Sequence, residues 1–241
     1  MLGAQEKVSL SGTVTDFDGN PIDSVSVRLK NKKFENVYET LTDINGRFSL
    51  QVEKGNYYCL YAIKLSDYRK TKLEYWTWNV PIFEDIEINP QYNNMEIYGI
   101  NVFEPQVGPY ETYMIYFRPM SLKKSNEIVE NQKIDKTAYE KVAKVEKLLT
   151  PLEDNIFDIA PNNITSDELS VKINGIESKI LNIQKVKDYS RGINMYGYFI
   201  QVLKPEEIKT MDVVYDKITI VLNSLESNEI GMGEAFFKRI N

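Results

Sequence analysis

From residue 8 to residue 63 apolar and polar residues alternate in short runs separated by tight-turn signals, and this pattern limits the stretch to paired strands. Successive side chains of a strand point to opposite faces, so each run offers one face to a core and one to water. Val8, Leu10, Gly12 and Val14 alternate with Ser9, Ser11, Thr13 and Thr15, and Val25, Val27 and Leu29 alternate with Ser26, Arg28 and Lys30. Between them lies Asp16-Phe17-Asp18-Gly19-Asn20-Pro21. There a glycine is free to take positive φ, acidic and amide side chains bond their own backbone, and proline fixes the exit. A third run, 37–41, leads through Asn45-Gly46, the strongest hairpin signal in the chain, to a fourth in which Phe48, Leu50 and Val52 alternate with polar residues. Lys54-Gly55-Asn56 then turns the chain into the aromatic run 57–63. Five strands joined by tight turns predict a Greek-key sandwich.

The turn and core residues of this stretch also carry a family resemblance. Gly12-x-Val14-x-Asp16 is followed by Gly19-x-Pro21-Ile22-x-x-Val25-x-Val27, then Thr42-Asp43-x-x-Gly46-x-Phe48-x-Leu50-x-Val52, then Gly55-x-Tyr57. In that order and spacing the chain resembles the carboxypeptidase regulatory-like, transthyretin-like family. The resemblance implies a transthyretin-like sandwich used as an accessory domain beside peptidases, transporters and envelope proteins. It brings no catalytic residue with it, because the matched positions are turns and core.

Beyond residue 63 the pattern continues in strands. In 73–81, Trp76, Trp78 and Val80 fall on one strand face while Tyr75 and Thr77 fall on the other. A last short strand is expected in 84–88, and Asn89-Pro90-Gln91-Tyr92-Asn93-Asn94 reads as a linker, so the first domain is expected to span 1–90. The second, 91–241, opens with strands at 95–103 and 112–117, the latter closed by Arg118-Pro119-Met120, and 121–135 reads as a loop or weak helix. Thr137-Ala138-Tyr139-Glu140 is a capping box that predicts a helix over 137–149, with Ala138, Val142, Val145 and Leu149 as its apolar stripe. Strands follow at 169–173, at 176–186 after an Asn174-Gly175 hairpin turn, and at 195–203, 218–222 and 229–237. About seven strands suit an immunoglobulin-like sandwich carrying one helical insertion. The expected fold is all-β, two sandwich domains in tandem.

Composition narrows function. The chain has no histidine, which removes histidine-dependent nucleophile systems and histidine zinc sites. Its formal net charge is -6 with both signs interspersed, so there is no basic stripe to neutralise nucleic-acid phosphates. The single cysteine, Cys59, lies in an apolar run without a cationic neighbour, where a thiol behaves as a small hydrophobe. No stretch approaches the roughly twenty apolar residues of a spanning helix. The small residues in Met1-Leu2-Gly3-Ala4-Gln5 resemble the remnant of a trimmed export signal, which points to an exported protein.

Several constellations invite a chemical reading and yield to a plainer one. Asp16, Asp18 and Asn20 mimic the start of a calcium loop, but the twelfth position holds Val27 in place of the bidentate glutamate. Asp154, Asp158 and Asn162 read as a solvated acidic loop. Glu84-Asp85 and Glu206-Glu207 are adjacent, so their carboxylates point apart rather than flanking one bond. Lys30 or Lys32 could bond an asparagine, with nothing in the sequence to fix the residues this needs. Trp76, Trp78, Tyr75 and Tyr58 remain as a possible ligand or interface patch, either core and seam packing or a flat platform for sugar rings. The expectation is therefore a non-catalytic binding or scaffolding protein of a cell envelope, without metal or cofactor, acting on a protein partner. The alternative is a carbohydrate-binding accessory module.

Overall fold

The computed structural model describes residues 6–131, 158–190 and 193–239, and the helix expected over 137–149 lies outside them. The first half contributes β1 (Lys7–Thr13), β2 (Ser26–Lys30), β3 (Asn36–Leu41), β4 (Arg47–Glu53), β5 (Gly55–Ile63), β6 (Tyr75–Ile82) and β7 (Ile86–Glu87). The second contributes β8 (Met95–Phe103), β9 (Thr112–Ser121), α1 (Leu122–Asn131), β10 (Leu169–Ile173), β11 (Ile176–Glu177), β12 (Ile180–Ser190), β13 (Ile193–Leu203), the one-turn α2 (Glu206–Lys209), β14 (Tyr215–Ser224) and β15 (Glu229–Lys238).

The fold is mostly β. Among the described residues the strands form three sheets: β4-β1-β7, β12-β13-β9-β8, and an eight-stranded sheet ordered β11-β10-β14-β15-β6-β5-β2-β3. The large sheet takes four strands from each side of residue 90. They are joined by a parallel pairing of β6 with β15, in which Trp76, Thr77 and Trp78 lie opposite Gly233, Glu234 and Ala235. The boundary expected near residue 90 thus falls between strands of one continuous sheet. Among the described residues one apolar cluster runs from Leu10 and Val27 through Trp76 and Met95 to Ile200 and Ile220. Burying each such side chain contributes about 1.5–3 kcal/mol.

Two glycines allow the layers to approach this closely. A Cβ on Gly231 would lie 2.0 Å from the carbonyl oxygen of Met95, and one on Gly233 would lie 2.6 Å from that of Ile97. Spaced by two, they turn the same bare face of β15 to the backbone of β8, which crosses it.

The structure corrects three local expectations. Asn45-Gly46 does not close a hairpin, because β3 and β4 belong to different sheets. The Asp43 carboxylate accepts from the amides of Asn45 and Arg47, and Val14 N–H donates to the Gly46 carbonyl, so the turn carries the chain from one sheet to another. The strand expected to close at Arg118-Pro119-Met120 runs on to Ser121. Its neighbour β13 pairs only as far as Phe117, so from there β9 is an edge on that side and tolerates a proline without a donor. The segment expected as one strand over 176–186 is two. β11 closes the Asn174-Gly175 hairpin, with both turn residues at positive φ, and β12 begins in another sheet. Where a loop or weak helix was expected, α1 forms, its first turn held by Ser121 and Glu229, which accept from the amides of Lys124 and Lys123.

Candidate functional site

The aromatic residues singled out by the sequence do come together, as packing. Trp76 and Trp78, 6% and 5% exposed, stack at 16° with centroids 5.3 Å apart, and Tyr75 on the opposite strand face is fully buried. Tyr58 is half-buried and stands edge-on to Trp78 at 89°, while Tyr98 meets both indoles edge-on from β8. Phe34, held at φ 64° in the β2–β3 turn, covers the cluster, edge-on to Tyr58, Trp76 and Trp78. A sugar platform needs flat, open ring faces. These indoles are under a roof, which removes the observation on which the carbohydrate alternative rested.

Beneath the cluster sits a buried acid pair. Trp76 donates its indole N–H to Glu96 at 2.7 Å, and Glu74, also buried, lies near enough for the two carboxyls to interact. Burial pushes both carboxyls up, Glu96 well above the ordinary range, with the neighbouring Glu74 charge adding to it. On the other face, Tyr75 donates to Glu234 at 2.6 Å and accepts from Thr77. Cys59 is buried in the same sheet, and desolvation pushes its thiol up to about 12, so it is a core residue rather than a nucleophile.

The other candidates serve local structure. Asp16 accepts from the backbone of Asp18 and from the backbone and side chain of Asn20, which closes the turn. Asp85 accepts from Ser9 N–H, Glu206 pairs with Lys209, and Asp158 pairs with Lys185. Asn162 donates to Glu226, and Asp154 lies outside the described residues. Lys30 donates to the Asn36 amide oxygen at 2.5 Å, and Asn36 in turn donates to Glu39 at 3.2 Å; that acid is exposed, and donation from Ser26 and Arg28 holds it below the usual range, so it is ionised beside the pair. Among the described residues no group of three or more His, Cys, Asp or Glu is placed to hold a metal ion. No described helix is long and apolar enough to cross a membrane.

An open groove was not visible in the sequence. The parallel pairing of β15 with β6 ends at Ala235 and Trp78, yet β15 continues to Lys238 and β6 to Ile82. Asn79, the first residue past the pairing, takes a left-handed φ of 56°, which asparagine tolerates better than most side chains. From there the two strands part, and the fork between them opens a groove of about 830 Å³. One bank carries Asn56, Tyr57, Tyr58 and Asn79; the other carries Tyr215, Phe236 and Phe237. Lys32, Lys33 and Lys238 rim it, and no carboxylate lines it among the described residues. Tyr215 Oη donates across the fork to Asn56 at 3.2 Å. The β15 bank is anchored from behind by Arg239, which holds the fully buried Asp216 at 2.7 Å and donates to the carbonyls of Met211 and Ile208. Burial alone would raise the Asp216 carboxyl; donation from Arg239, Tyr113 and Asn174 instead holds it below the usual carboxylate range. The one sequence sign of this groove is Phe236-Phe237, two adjacent rings that one strand cannot bury on the same face.

Comparison with known proteins assigns part of the chain. Residues 9–64 match the sequence model of the carboxypeptidase regulatory-like domain, and the rest is unassigned. No curated protein matches the chain. Among solved structures it is similar to the major pilin subunit of Bacillus cereus, at 10% identity over 95% of this chain and 68% of that one, with a TM-score of 0.28. It is also similar to a DUF3823-family protein from Parabacteroides merdae, at 9% identity over 98% of this chain and 100% of that one, with a TM-score of 0.28. The major pilin SpaA of Corynebacterium diphtheriae shows 5% identity over 94% of this chain and 68% of that one, with a TM-score of 0.25.

Proposed function

We propose that the chain is a non-catalytic binding protein of the cell envelope whose two sandwich regions, 1–90 and 91–241, act through protein contacts made at the fork between β6 and β15. The observation that carries this reading is the groove itself. Among the described residues it is built where strands from both regions diverge, it is floored by half-buried rings, and the edge of β15 on one bank is unpaired. Partly buried aromatic side chains in a concave site are what protein-binding surfaces use as anchors. A non-catalytic role is supported by the lack of histidine, and by the enclosure of Glu74 and Glu96 away from the groove. The envelope location is supported by the resemblance of the first region to accessory domains found beside envelope proteins, among others.

A photo-crosslinking residue placed at Tyr215 in the cells that make the protein tests the reading, with the same residue at the exposed Leu225, away from the groove, as control. The expected result is one discrete protein adduct from position 215 and none from position 225. No protein adduct from position 215, or the same adducts from both positions, overturns it.

A further inference from the structure

We infer that the fork takes an extended, acidic peptide segment of a partner protein as an added strand on the free edge of β15. The inference rests on the binding reading above and adds to it the chemistry of the partner.

Three observations point to this occupant. First, the fork leaves one strand edge open, that of β15. Beyond Ala235 no strand pairs with β15 on its β6 side among the described residues, and Phe236, Phe237 and Lys238 line the groove, whereas on the opposite bank Val80 and Ile82 are fully buried and Pro81 has no backbone N–H. An open edge presents unpaired backbone donors and acceptors, the template on which an extended peptide adds as a strand. Second, the floor suits side chains better than sugar rings. Tyr58 has an edge against Trp78 and Phe237 an edge against Tyr113, so neighbours fix the rings instead of leaving a coplanar platform. At about 830 Å³ the groove is within the roughly 300–1,000 Å³ of ligand clefts. Third, the rim is cationic in an acidic chain. Lys32, Lys33 and Lys238 have no carboxylate partner among the described residues, although the chain carries a net charge of -6. A polyanionic strand is steered to that rim, and a polycationic one is repelled.

The test uses the whole chain and a synthetic peptide of about ten residues alternating glutamate with threonine and valine, the alternation that one strand presents to two faces. Calorimetric titration should show binding that weakens roughly tenfold or more when salt rises to well above physiological strength. It should weaken as much with the Lys32→Glu, Lys33→Glu, Lys238→Glu triple variant, in which only exposed side chains change. The same peptide N-methylated at alternate residues loses backbone donors and should bind at least about tenfold more weakly. Tyr215→Phe, which removes the hydrogen bond across the fork and keeps the ring, should bind the peptide more tightly than the parent. Equal binding of a lysine-substituted peptide, or an affinity untouched by both the triple variant and N-methylation, overturns the inference. So does binding of polygalacturonate with no binding of the peptide, which would make the ligand a glycan. Self-association of the chain that the triple variant abolishes also overturns it, by making the occupant a second copy. A protein adduct from position 215 without peptide binding would leave the binding reading standing and the acidic-strand inference refuted.

Discussion

Along Trp76–Trp78 and Gly233–Ala235, β6 and β15 are paired neighbours at the centre of the largest sheet; one residue further on, the same strands bound a groove. The difference lies in side-chain size and backbone conformation. In the closed part β15 offers Gly233 and Ala235, small and buried, so that β8 can cross one face and the indoles of β6 can pack. In the open part it offers Phe236, Phe237 and Lys238, while β6 bends through a left-handed Asn79. The same pair of strands thus supplies a weld between the two halves of the chain and, immediately beside it, the surface with room for a partner.

The contrast can be broken from either side. The largest loss is expected behind the open part: Arg239→Met leaves Asp216 buried without its cation, costing about 3–5 kcal/mol in urea unfolding. In the closed part, Gly233→Val drives a side chain into the Ile97 carbonyl and should cost about 3 kcal/mol by the same measurement, with the two halves losing structure together.

The two tryptophans sharpen the comparison within the closed part. Trp76→Phe removes the donor to buried Glu96, whereas the Trp78 indole N–H has no partner among the described residues. Both lose similar ring area, so the Trp76 variant should be less stable than the Trp78 variant by about 1–2 kcal/mol. The acid pair gives the smallest and most specific effect, a dependence on pH. Because Glu74 and Glu96 have carboxyls raised in the folded chain, the folded state holds protons that the unfolded state releases. Their stabilisation is complete below the unfolded value of 4.5 and is lost as pH rises through the folded values. Glu96→Gln keeps an acceptor for Trp76 and should flatten the fall in urea midpoint between pH 5 and pH 8. A fall as steep as the parent's would show that the pair does not set it.

Most strands were legible because their information is local. Alternation in 7–13 and 26–30, and the Asn174-Gly175 turn, act within a few residues of where they are read. The same logic misled at Asn45-Gly46, where the turn residues were recognised but sheet membership was decided by the bond from Val14 to Gly46. The seam left no local sign. A parallel pairing of β6 with β15 joins residues far apart in sequence, and such partners cannot be inferred from either strand alone. Trp76, Trp78, Tyr75 and Tyr58 were found as a group, since large rings at alternate positions must pack somewhere. Their burial depended on Phe34 and Tyr98, which come from a turn and a strand elsewhere in the chain. Gly231 and Gly233, spaced by two within a strand, were the available hint that another backbone crosses there.

Both the weld and the groove depend on the point at which β6 and β15 separate, and cross-strand nuclear Overhauser contacts between backbone protons measure it directly. Contacts are expected between Trp76, Thr77, Trp78 and Gly233, Glu234, Ala235, and none between Asn79 or Val80 and Phe236 or Phe237. Absence of the first set would mean that the two regions do not share a sheet, and a ladder continuing through Phe237 would mean that there is no fork for a partner to enter.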